Sequence, residues 1–184
     1  MEQTPAAADE QDRALVRRYL EGQQDAAGGL VDRYQKRLFN VALRMLDNAQ
    51  DAEDVTQTVF LNAFLKLSTY DPRFRFFSWI YRILVNECLN VQRDRRPHEP
   101  ITPEVAAVGS PADLLEASER RARLHAAVLA LPSAYREVVV LRYFGELTYE
   151  AIADATGVPV KTVKSRLFTA RQRLASLLDL DSQP

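Results

Sequence analysis

The stretch from Thr148 to Leu167, TYEAIADATGVPVKTVKSRL, holds two short amphipathic segments on either side of a glycine. Thr148 is a good N-cap for a short helix, Tyr149 to Thr156. Two short helices that cross closely need a small residue at the crossing, and Ala153 supplies it. The turn needs a residue that tolerates positive φ, and Gly157 supplies that. Ile152, Val158, Val163 and Leu167 then lock the pair together, and a second helix runs from about Val160 to Leu178. This spacing predicts a helix-turn-helix.

The second helix carries Lys161, Thr162, Lys164, Ser165 and Arg166, with Arg171 further along. Between Val160 and Leu174 there is no acid. A merely solvated face usually mixes signs, so an acid-free face suits a polyanion. The N-terminal residues of a recognition helix contact base edges. Arg can grip guanine bidentately, and Lys, Ser and Thr serve bases or phosphates.

Upstream, a helix of about Ser133 to Phe144 is stopped by Gly145. A longer helix reaches Leu131 from a start marked by Ser110 at N-cap, Pro111 at N1 and Asp113. Before it, Pro97, Pro100, Pro103 and Gly109 give a linker composition. Residues 97–110 are therefore expected to join a domain of residues 12–96 to one of residues 111–179. Fully extended, that linker spans up to ~45–50 Å.

Four helices are expected in the first domain. Asp12 to Gly22 places Leu15, Val16, Tyr19 and Leu20 at helical spacing. Ala26 to Leu46 has the stripe Leu30, Tyr34, Leu38, Val41 and Met45, with Gly28 and Gly29 weakening its first turn by about 1 kcal/mol each. Ala49 to Leu67 is capped by Asn48. Ser78, a good N-cap, opens a helix to about Arg96 that Pro97 ends. The fold class expected is all-α, two small helical domains on a proline-rich linker.

Between Tyr70 and Tyr81 the chain packs Tyr70, Phe74, Phe76, Phe77, Trp79 and Tyr81, against 7 Tyr, 8 Phe and 1 Trp in the whole chain. Arg73, Arg75 and Arg82 are interleaved. Aromatic faces stack unpaired bases while Arg holds the backbone, a pairing typical of single-strand binding. About half of these rings are expected to be core instead. The following helix carries Arg82, Asn86, Asn90 and Arg93 on one face, and Asn can both donate to and accept from a base edge.

Bulk properties exclude other classes. The 184 residues are 47% hydrophobic, enough to bury a core. A single cysteine, Cys88, rules out an intramolecular disulfide and suits a reducing cytoplasm; an inert core thiol is expected there. The first residues form no signal peptide, and no apolar stretch reaches the ~18–20 residues of a membrane helix. His98 and His125 are isolated, with His125 expected in solvent. No metal, no cofactor and no catalytic activity are expected. The net charge of -1 hides a segregated distribution. Residues 45–65 hold Asp47, Asp51, Glu53 and Asp54 with no Lys or Arg, which points to different partners for different faces.

Four motifs in order resemble bacterial sigma factors of the extracytoplasmic-function (group IV, sigma-70 family) class. They are Asp51-Ala52-Glu53-Asp54-Val55-Thr56-Gln57, Phe77-Ser78-Trp79-Ile80-Tyr81-Arg82-Ile83, Leu131-Pro132 with Tyr135-Arg136-Glu137-Val138 and Leu141-Arg142-Tyr143-Phe144, and Thr162-Val163-Lys164-Ser165-Arg166-Leu167. The resemblance spans about Asp12 to Leu178. It implies that the domains correspond to sigma regions 2 and 4. It places Asp51, Glu53, Asp54 and Gln57 on the β′ clamp helices of core RNA polymerase, with the β subunit as a further contact. It implies that Arg73, Phe74, Arg75, Trp79, Tyr81, Arg82, Asn86, Asn90 and Arg93 melt and capture the −10 element. It implies that Lys161, Thr162, Lys164, Ser165, Arg166 and Arg171 read the −35 element of promoter DNA as duplex. It further implies an anti-sigma factor as partner, holding the chain in the cytoplasm, near the membrane in some cases. Lys161 stands where the family commonly has glycine, and Thr169 where it has a basic residue or histidine.

The alternative is a stand-alone helix-turn-helix regulator with an N-terminal dimerisation or sensory domain. It accounts for Thr148 to Leu174 but not for the acidic segment followed by the aromatic-basic loop.

Overall fold

The computed structural model describes residues 5–94 and 111–180, which are helical with short connections and contain no strand. The expected linker 97–110 and the Ser110 cap lie outside the described residues. The elements are α1 (Pro5–Leu20), α2 (Asp25–Leu46), α3 (Ala49–Leu65), a 3-10 turn (Leu67–Thr69), α4 (Phe76–Asp94), α5 (Pro111–Leu129), α6 (Ser133–Tyr143), α7 (Tyr149–Thr156) and α8 (Val160–Leu180). They form two helical domains, α1–α4 and α5–α8.

In the first domain α2 is the central helix, packed on α1, α3 and α4. Its stripe Leu30, Tyr34, Leu38, Val41 and Met45 recurs every three or four residues, and every member is buried. The helix continues through Gly28 and Gly29 because the stripe carries it, so tertiary packing overrides propensity. It ends where Asp47 turns left-handed at φ 53°, its backbone N–H bonding Leu43 O at 2.9 Å. Asn48 then caps α3, its side chain accepting the Asp51 N–H at 2.9 Å.

Two helix starts differ from expectation. Helix α1 begins at Pro5, not Asp12. Its added turns are anchored by tertiary bonds: Arg33 donates to Gln11 at 2.7 Å, and Arg75 to Asp9 at 2.7 Å. Helix α4 begins at Phe76, two residues before Ser78. Trp79 N–H bonds Arg75 O at 3.2 Å, so Ser78 lies inside the first turn and is buried. The reason is Phe76. Its ring is buried between Tyr34 and Tyr70, each 5.6 Å away in an edge-to-face arrangement, and this draws the chain into helix early.

In the second domain α8 packs on α5, α6 and α7 through Val163, Leu167 and Ala170, all buried. The helix-turn-helix forms as the sequence spacing predicts. Thr148 Oγ1 accepts the Ala151 N–H at 3.2 Å, and Gly157 adopts φ 72° while its N–H bonds Ala153 O at 2.8 Å.

The domains also touch each other. Helix α4 lies against α7, and α2 against α5 and α6. Tyr81, Leu141 and Leu147 are all fully buried along this boundary.

Candidate nucleic-acid and polymerase interfaces

Three separate faces present the residues singled out from the sequence. On α8, Lys161, Lys164, Ser165 and Arg171 are exposed and Thr162 is half-buried. Arg171 Nε donates to the Tyr143 hydroxyl at 2.9 Å, which fixes its direction. Arg166 is placed differently. Its side chain is 27% exposed, and its guanidinium lies 3.9 Å from the carboxylate of Glu137, which α6 buries. Burial pushes the Glu137 carboxyl up, and Arg166 opposes that shift. Arg166 thus holds the recognition helix against α6 from behind. Sequence reading missed Phe168, which is 62% exposed. It follows Lys161, Lys164 and Ser165 at helical spacing, and that spacing was the available signal. An exposed ring on a cationic face suits apolar contact with a thymine methyl.

The second face is the loop before α4 and the outer side of α4. Arg82, Asn86 and Arg93 are exposed and Asn90 is half-buried, with Arg93 donating to Asn90 Oδ1 at 3.1 Å. Ile80, Leu84 and Cys88 point inward, as the stripe requires, and burial pushes the Cys88 thiol up to about 12. The aromatics divide. Phe76 and Tyr81 are buried, Tyr70 nearly so, Trp79 is half-buried beside Tyr70 at 5.5 Å, and Phe74 is 57% exposed. The Tyr70 hydroxyl donates to Phe74 O at 2.7 Å, which pins the loop that presents Phe74. Arg73 is bonded to Asp71 at 2.6 Å and stays highly exposed. Arg75 turns to Asp9 of α1.

The third face is α3. Glu53, Asp54 and Gln57 are exposed, and Asp51 is half-buried in the first turn, where the helix dipole favours an acid. Leu61 and Leu65, 64% and 80% exposed, continue this side at helical spacing, as the sequence reading did not anticipate. His125 departs from expectation: its side chain is 10% exposed, and its Nε2 lies 3.6 Å from Asp47 of the first domain. Among the described residues no cluster of His, Cys, Asp and Glu could hold a metal ion, and no helix is long and apolar enough to cross a membrane.

Comparison with known proteins agrees with this arrangement. The family Sigma-70 region 2 matches residues 30–98, and Sigma-70, region 4 matches residues 121–174. Fold and faces together therefore define a sigma-type initiation protein built from those two regions. The chain is 30% identical to the ECF RNA polymerase sigma factor SigW of Bacillus subtilis, over 89% of this chain and 94% of the relative. It is 35% identical to the RNA polymerase sigma-H factor of Pseudomonas aeruginosa, over 92% and 94%. The structure of CnrH in complex with the cytosolic domain of CnrY superposes with a TM-score of 0.73 and 31% identity, covering 94% of this chain and 99% of CnrH. The chain belongs to the extracytoplasmic-function sigma factors of the sigma-70 family, transcription initiation factors that bring RNA polymerase to promoters.

Proposed function

We propose that the three faces divide the work of promoter opening. The α8 face, Lys161, Thr162, Lys164, Ser165 and Arg171, reads the −35 element as duplex, with Arg166 seating the helix. Arg73, Phe74 and Arg75 of the loop before α4, Trp79 and Tyr81 of its first turns, and the stripe Arg82, Asn86, Asn90 and Arg93 take single-stranded −10 bases. The α3 face, Asp51, Glu53, Asp54 and Gln57, binds the clamp helices of core polymerase. The observation that carries the reading is the separation of an exposed cationic, acid-free helix face from an exposed Arg/Asn stripe on a different helix.

Energetics support it. Opening DNA costs roughly 0.6–2.2 kcal/mol per base-pair step in lost stacking. Without nucleotide hydrolysis coupled to the step, a protein shifts that equilibrium only through its higher affinity for the separated strand. The exposed Asn86 amide, the half-buried Asn90 amide and the exposed Phe74 ring provide such differential contacts. Two tethered sites add effective concentration and fix the spacing between the elements they read. The match to CnrH, whose structure is a complex with the cytosolic domain of CnrY, supports a cytoplasmic site of action and an inhibitory partner of anti-sigma type.

The test is transcription with core polymerase on the gene's own upstream DNA, read by permanganate reactivity of thymines near the start site. Open thymines at one promoter support the proposal; none at any candidate promoter overturns it. Charge reversal at Glu53 and Asp54 should reduce core binding at least tenfold with the helical signal retained. Undiminished capture of core polymerase by that variant would remove the α3 assignment.

A further inference from the structure

We propose that the free chain holds itself in a closed state, in which the second domain covers Tyr81 at the start of the strand-binding helix, leaves Arg82, Asn86 and Arg93 exposed, and is latched by a rim of weak contacts. The proposal rests on reading α4 as the strand-binding helix and goes beyond that reading to a state in which Tyr81 cannot take a base.

The centre of the contact is Tyr81. This ring belongs to the −10 face, yet it is 0% exposed. It packs on Phe77 with centroids 4.7 Å apart. The backbone after α6 lies against its other side: a Cβ built on Gly145 would sit 3.3 Å from Tyr81 Cε1. Beside it, a groove of about 590 Å³ runs between the domains. Phe74, Trp79 and Arg82 line one wall, and Asp154, Val158 and Pro159 of the helix-turn-helix line the other. A base cannot stack on Tyr81 while Gly145 occupies its face.

Two further observations mark this boundary as one that opens. The hydroxyls of Tyr81 and Ser78 are buried there without a hydrogen-bond partner. A permanent core satisfies such groups, because leaving one unpaired is costly. An interface that separates returns them to water. The rim contacts are also of weak kinds. Arg37 Nη2 lies 3.6 Å from Glu146 Oε2, with both side chains more than half exposed. The Arg44 guanidinium lies 4.8 Å over the Phe144 ring. Arg136 Nη1 donates to Met45 O at 3.4 Å. Exposed ion pairs and cation–π contacts are individually weak. Together, on domains tethered in one chain, they close the molecule reversibly.

Closure adds the Arg37–Glu146 pair to this side, beside the Arg33–Asp12 and Arg75–Asp9 pairs that lie within the first domain. Arg33, Arg37 and Arg75 surround a second inter-domain cavity, and each faces a carboxylate: Asp12, Glu146 and Asp9. A DNA phosphate would have to displace those acids.

The test uses the full chain. Small-angle scattering should give a radius of gyration near ~16 Å, the value for a compact protein of this length. The variant Arg37→Glu/Arg44→Glu sets an acid against Glu146 and removes the cation from Phe144. Its radius should grow by about a fifth, and adding Glu146→Arg should reverse much of that growth. Trp79, the single tryptophan, reports the groove directly. Its quenching by acrylamide should rise about twofold in the double variant, with the helical circular-dichroism signal unchanged. A wild-type chain already expanded, or a double variant identical to it in both readouts, overturns closure.

Masking is tested by bridging Arg37→Cys/Glu146→Cys with a disulfide-containing bismaleimide; buried Cys88 does not compete. With core polymerase on the gene's upstream DNA, the bridged chain should fail to open the promoter, and reductant should restore opening. Equal activity before and after reduction overturns masking. If the reduced chain is also inactive, the assignment of the promoter faces fails instead, and scattering and quenching still decide closure.

Discussion

At the scale of single residues, the recognition helix separates two kinds of cation. Lys164 is exposed with no carboxylate against it, whereas Arg166 faces the buried Glu137. Lys164→Ala should therefore weaken duplex −35 binding and lower the salt slope of binding by about one, at unchanged stability. Arg166→Ala should lower stability as well, because it leaves Glu137 buried and unpaired. Thermal melts and salt titrations of both variants check this. Two variants that melt together would remove the supporting role given to Arg166.

At the scale of elements, two helices carry predictions of different kinds. Gly157 sits at φ 72° with open space where a Cβ would go. Replacing it with Ala therefore costs only backbone strain, about 1–2 kcal/mol, with no steric clash. Denaturant unfolding of Gly157→Ala tests that, and a loss near zero would mean that the turn relaxes away from the left-handed form. On α4, Asn86→Ala/Asn90→Ala removes amides from the outer stripe and leaves the buried Ile80, Leu84 and Cys88 in place. Promoter opening should fall at least tenfold while −35 duplex binding stays within about twofold. Equal losses in permanganate reactivity and duplex affinity would argue against a division of labour between the domains.

At the scale of the whole molecule, the junction of the domains carries a pH dependence. His125 lies against Asp47 with Arg44 and Arg136 around it. Burial lowers its proton affinity most; Asp47 opposes that, and the two arginines add to it. The unfolded chain therefore takes up this proton at higher pH than the folded chain does. The contribution of neutral His125 to stability is present above its ordinary value of 6.5 and is lost as pH falls through it. The melting temperature should fall between about pH 7.5 and pH 5.5, and His125→Gln should fall less over that range. Parallel declines in the two proteins would place the titration elsewhere.

Helix count, the α2 stripe, the Asn48 and Thr148 caps and the turn at Gly157 were legible in the chain, because each depends on residues three or four apart. The candidate faces were legible for the same reason: charge and amide spacing put Lys161 with Lys164, and Arg82 with Asn86, without reference to anything distant. The starts of α1 and α4 were not, since Asp9 and Phe76 act through Arg75, Tyr34 and Tyr70, distant partners or core rings that set the boundary against local capping signals. Nor was the turn of Arg166 toward Glu137, the burial of His125, or the covering of Tyr81 by Gly145. Local periodicity fixes which side of a helix is apolar; which neighbour then covers that side is set by packing between segments far apart in sequence, and only the tertiary structure decides it.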